Sequence, residues 1–71
     1  MMTEFLQKFG LNANEVRIYE HLLQNRTAGA AAISQALGLK RTNIYHLLQR
    51  LKELGLVQEA IKRGKKTFEL R

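Results

Sequence analysis

"GLKRTNIYHLLQRLKELGLV", residues 38–57, is the stretch whose reading decides the fold. Between its two glycines, Ile44, Leu47, Leu48, Leu51 and Leu54 recur at helical spacing, and Gly55 supplies the stop. Placing successive residues about 100° apart centres the apolar stripe near Leu51. The opposite side then carries Thr42, Tyr45, His46, Gln49 and Glu53, with Arg41, Asn43, Arg50 and Lys52 on the flanks. Such a helix buries its back in a core and offers a hydrogen-bonding front to a partner.

Working toward the N-terminus, "AGAAAISQALGL" predicts a shorter helix from about Ala30 to Leu37, with Gly29 as N-cap and Gly38 in the left-handed position that ends it. Before it, "NANEVRIYEHLLQN" starts with Asn12 three residues ahead of Glu15, a variant of the capping box, and repeats Val16, Tyr19, Leu22 and Leu23 on one side. "TEFLQKF" reads as a short opening helix, with Thr3 as N-cap and Gly10 as its stop. The tight connection "ALGLK" between two helices, the second with a polar front, is the pattern of a helix-turn-helix. Any helical hairpin shares the apolar spacing, so the residues beyond Gly55 carry more weight. They are the strand-like "LVQEAI", the basic turn "KRGKK" and the returning "TFEL". Gly64 permits a tight hairpin, and Val57, Ile61 and Phe68 offer it a buried face. A hairpin directly after the second helix of the motif is a wing. The expected architecture is mainly α with a small β-hairpin: one winged helix-turn-helix domain over residues 1–71, a three-helix core plus C-terminal wing and a short N-terminal extra helix.

Charge points to the partner. Lys and Arg number 12 against 6 Glu and no Asp, a formal net charge of +6. Residues 1–39 hold three basic and three acidic side chains, whereas residues 40–71 hold nine and three, so the whole excess lies in the C-terminal half. A one-sided basic field suits a polyanion, although a merely soluble surface has the same composition. The chain has no Cys, which removes disulfides and thiolate zinc sites and fits a reducing, cytoplasmic setting. Its longest apolar run falls far short of the roughly 20 residues needed to span a bilayer, and residues 1–9 lack the order of a signal peptide. Seventy-one residues bury only about 60 to 65% of their unfolded surface, so the core has little to spare.

The chain resembles the TrmB-type winged helix-turn-helix domains of sugar-responsive transcriptional regulators. "LNANEVRIYEHLL" carries the family's opening pattern at Leu11, Glu15, Tyr19, Leu22 and Leu23, with Asn12 where the family has Thr. The turn and recognition helix match at Gly38, Leu39, Arg41, Thr42, Ile44, Tyr45, Leu48, Leu51, Gly55, Leu56 and Val57. Two departures stand out: Lys40 occupies the position where the family prefers Pro, and "AGAAA" replaces a more polar helix start. MarR-type and ArsR-type regulators share the same core. The resemblance implies a DNA-binding domain. Family members continue into a dimerising coiled coil and a ligand-sensing domain, and their sugar response is not carried over to these 71 residues.

The candidate DNA-binding residues are Lys40, Arg41, Thr42, Asn43, Tyr45 and His46 on the recognition helix, with Lys62, Arg63, Lys65 and Lys66 on the wing. Lys40 or Arg41 and Thr42 would seat the helix N-terminus against phosphate, assisted by its dipole. Asn43, Tyr45 and His46 would reach base edges or neighbouring phosphates, and the wing cations would clamp the flanking backbone or minor groove. Each has a plainer alternative. Tyr45 is then a core residue on the helix flank, Arg41 to Asn43 a solvated first turn, and the wing cations a guard against edge-to-edge pairing of the hairpin. The small side chains of "AGAAA" suit either a close helix crossing or contact with a second protomer. A weak homodimer is expected through Phe5, Leu6 and Phe9 or through the Ala-rich helix. His21 and His46 have no second ligand at metal spacing, so no metal or other cofactor is assigned. With one Ser, no Asp or Cys and no glycine-rich phosphate loop, the chain lacks the groups for acid–base or nucleophilic catalysis. The competing reading is a winged-helix module for protein interaction, which would show an apolar front on the recognition helix.

Overall fold

A computed structural model describes residues 8 and 10–71. The opening helix expected over residues 3–9, with Thr3, Phe5, Leu6 and Phe9, falls outside these residues. Helix α1 (Ala13–Asn25) starts on the capping box: the Asn12 side chain accepts from the Glu15 amide at 2.8 Å, and the Glu15 carboxylate accepts from the Asn12 amide at 2.9 Å. Strand β1 (Thr27–Ala28), helix α2 (Ala30–Leu37) and helix α3 (Arg41–Glu53) follow, then strands β2 (Val57–Lys62) and β3 (Lys65–Leu70).

Gly38 adopts the left-handed conformation (φ 69°) after α2, and the Ser34 carbonyl accepts from both the Gly38 and Leu39 amides. From α1, Arg17 donates to the Leu37 carbonyl at 3.0 Å, and the Ser34 hydroxyl donates to the Leu39 carbonyl. These bonds satisfy the end of α2 and set the three-residue turn into α3. At the far end of α3, Gly55 takes φ 78°, and its amide and that of Leu56 reach back to the Lys52 and Leu51 carbonyls. The polypeptide thereby leaves the helix directly into the wing.

One core unites these elements: Leu11, Val16, Ile18 and Leu22 around α1, Ala30 and Ile33 from α2, Ile44, Leu48 and Leu51 from α3, Val57 from β2 and Phe68 from β3. Of the expected Val16, Tyr19, Leu22 and Leu23, Val16 and Leu22 are buried and Tyr19 packs half-buried against the core, while Glu15 and Ile18 join the buried stripe. Leu23, one helical step beyond Leu22, is exposed. Leu54 likewise lies past the last turn of α3 in solvent.

The sheet has three strands where the sequence predicted two. Its order is β1-β3-β2, all antiparallel, with Ala28 opposite Phe68 and Thr27 opposite Glu69. The two residues of β1 are too short to carry an alternating pattern. The hairpin is also longer than expected, because Lys62, Lys65 and Lys66 belong to the strands and only Arg63 and Gly64 turn. Both have positive φ, 53° and 76°, the signature of a two-residue type I′ turn.

Candidate nucleic-acid interface

Alternation along β2 puts Val57, Glu59 and Ile61 on one face, with Leu70, Phe68 and Lys66 as their partners on β3. Val57 and Phe68 are buried, as expected. Ile61 is not: it has the parity of a core residue but is 67% exposed, because the hairpin has by then run past the helices. The wing therefore has an apolar base and a tip surrounded by solvent.

On α3 the division of faces follows the spacing. Ile44, Leu48 and Leu51 are buried, and Leu47 is half-buried. Lys40, Arg41, Thr42, Asn43, Tyr45 and His46 are all exposed, as are Gln49 and Glu53. Tyr45, 50% exposed, is the one large apolar-bodied side chain on this front. Lys40 is the N-cap residue but makes no side-chain capping bond. The first-turn amides of α3 therefore gain nothing from that cap. Lys62, Arg63, Lys65 and Lys66 are exposed as well.

The flanking cations behave differently from the front. Arg50 points back to α1: its Nε lies 2.7 Å from Glu15 Oε2, and its Nη2 donates to the Gly10 carbonyl at 2.8 Å. Lys52 joins α3 to the wing, donating from Nζ to Glu59 Oε1 at 2.7 Å. The other oxygen of Glu59 lies 3.8 Å from Lys66 Nζ on β3. The Lys52 hydrogen bond, helped by the charges of Lys52 and Lys66, holds the Glu59 carboxyl below the usual carboxylate range, so it is ionised at neutral pH. Sequence reasoning passed over Glu59. Its signal was the parity with Val57, which places it on the wing face turned to the helices.

In α2, Ala30 and Ile33 enter the core while Ala31 and Ala32 are exposed. The core-packed side and the exposed small-residue side of this helix are thus different. Among the described residues, no group of three or more His, Asp and Glu side chains could hold a metal ion, and no helix is long and apolar enough to cross a membrane.

A family described as "Sugar-specific transcriptional regulator TrmB" matches residues 6–70. No curated protein matches the sequence. Solved structures with the same fold include reduced MarR from E. coli, with a TM-score of 0.87 at 14% identity over 99% of this chain and 54% of that one. A mutant of S. aureus MepR bound to an oligodeoxyribonucleotide superposes with a TM-score of 0.87 at 15% identity, covering 99% and 54% of the two chains. The Zalpha domain of Carassius auratus PKZ in complex with Z-DNA gives 0.75 at 22% identity, covering 82% and 92%. The fold is a MarR-like winged helix, and the chain spans about half the length of the MarR and MepR chains.

Proposed function

The chain belongs to the TrmB family of transcriptional regulators, and from that premise we propose that it binds double-stranded DNA sequence-specifically in the cytoplasm. Helix α3 enters the major groove and the basic wing lies on the flanking backbone. The observation that carries this reading is the front of α3, where Lys40, Arg41, Thr42, Asn43, Tyr45 and His46 stand exposed opposite the buried Ile44, Leu48 and Leu51. Long or amide-bearing side chains on a helix that fits the groove are the groups that read base edges and seat on phosphates.

Lys40, Arg41 and Thr42 take the phosphate at the helix N-terminus, and Asn43, Tyr45 and His46 reach toward base edges. Lys62, Arg63, Lys65 and Lys66 neutralise backbone charge beside the groove. Half-sites read by two copies, through the N-terminal segment or the exposed Ala31 and Ala32, would supply the affinity one small module lacks. A module for protein interaction needs an apolar front on α3, and apart from Tyr45 that front is polar. Fluorescence polarisation on a random duplex at two salt concentrations tests the proposal. Binding at about 50 mM salt that weakens steeply by about 200 mM is expected, and a protein that binds no duplex at the lower salt refutes it.

A further inference from the structure

Glu59 sits among the cations proposed to meet phosphate, and a carboxylate there repels a polyanion. Its geometry gives it a use. One carboxylate oxygen takes Lys52 from the last turn of α3 at 2.7 Å, and the other faces Lys66 of β3 at 3.8 Å. Three elements meet at this acid: the recognition helix, the outer wing strand that carries it, and the inner wing strand. All three side chains are partly open to solvent, so water and phosphate can compete for the lysines. By contrast, no ion pair is present for Lys62 or Lys65 among the described residues.

Resting on the proposed DNA binding, we infer that Glu59 is a specificity-determining residue that restrains binding to random duplex. It pairs with Lys52 of α3 and Lys66 of β3 where the helix meets the wing. Any duplex that engages them must either displace the carboxylate or share them with it. A chain with a net charge of +6 otherwise binds every stretch of DNA through counterion release, and a regulator's selectivity is the ratio of its specific to its nonspecific affinity. A correct site repays the displacement through base contacts by α3, and a random one cannot. The acid thus lowers the nonspecific term and keeps the wing in register with the helix.

The experiment is a salt titration of random-duplex affinity for the wild type, Glu59→Gln, Lys66→Gln and the double variant, alongside thermal unfolding of each. Glutamine keeps the size and polarity of the side chain and removes its charge. Glu59→Gln is expected to bind random duplex several-fold more tightly at about 50 mM salt, with the log–log salt slope steeper by about 1 to 2 units, near 0.9 for each lysine released. Its thermal midpoint should stay within a few degrees of wild type. Lys66→Gln should cost more affinity in the Glu59→Gln background than in wild type, because only there is Lys66 wholly available. If Glu59 were merely a strut, Glu59→Gln would bind more weakly, with a flatter or unchanged slope, and that result overturns the inference, as does an unchanged affinity. A wild type that binds no duplex instead removes the proposed function and this inference with it.

Discussion

Arg50 closes over the buried end of Glu15: its guanidinium Nε lies 2.7 Å from a carboxylate that is 0% exposed, while Nη2 holds the Gly10 carbonyl at 2.8 Å. The same carboxylate caps α1 through the Asn12 amide. One side chain of α3 thereby fixes the start of α1, and the relation is structural although Arg50 has the charge of a DNA contact.

Arg50→Ala leaves the Glu15 charge buried without its cation. Loss of a partner from a buried pair costs about 3 to 5 kcal/mol, and the half-exposed arginine with its access to water brings the expectation to about 2 to 3. In a domain of this size the thermal midpoint should fall by on the order of 10 °C or more. Circular dichroism checks it, and a shift under about 3 °C would show that water alone serves the carboxylate.

Asn43→Ala combined with Tyr45→Ala removes two exposed groups from the front of α3 and should leave unfolding unchanged. Discrimination between a selected site and random duplex should fall by about 1 to 3 kcal/mol for each well-formed base pairing these side chains make, with nonspecific binding retained. Competition titrations measure it. Equal weakening on every sequence would reassign both residues to the backbone.

Replacing Lys65 and Lys66 together by Gln should flatten the salt dependence of duplex binding by about 1 to 2 units per protomer. The value should lie toward the lower end, because Lys66 is already shared with Glu59. All duplex sequences should weaken alike, and an unchanged slope would place the wing away from phosphate.

Arg63 occupies a positive-φ position of the type I′ turn, where Asn is favoured. Arg63→Asn should therefore stabilise the domain by about 0.5 to 1 kcal/mol and yet weaken duplex binding, as one cation leaves the tip. Melting and polarisation on the same protein should move in opposite directions. A gain in both would mean that the tip takes no part in binding.

Sedimentation velocity over a range of concentrations tests self-association. A concentration-dependent homodimer is expected, weakened by Phe5→Ser with Phe9→Ser or by a bulky charge at Ala32. A species that stays monomeric at the highest concentration would exclude the dimer for these 71 residues.

Helices α1, α2 and α3 were legible because amphipathic spacing, the Asn12–Glu15 box and the glycines at 38 and 55 are local signals, each decided within a few residues. The exposed front of α3 was legible for the same reason. The features that escaped depended on where elements end in space. Ile61 has strand parity for the core, yet the core finishes before it, and β1 is a two-residue partner recruited by β3 rather than a pattern of its own. Glu59 read as one polar residue in a strand, because its meaning comes from Lys52, seven residues earlier, and Lys66, on the neighbouring strand.

The central place of β3 has a consequence for how the domain breathes. Phe68 is anchored in the core on the central strand, with Ala28 opposite it on one side and Glu59 on the other, whereas the Arg63–Gly64 turn at the other end of the same hairpin is exposed. Amide hydrogens at Phe68 and Glu69 should then exchange only when the whole domain opens, while those at the turn exchange through local fraying. On the proposed function, the hairpin could then adjust its reach along an irregular backbone without loosening the helices packed on the core.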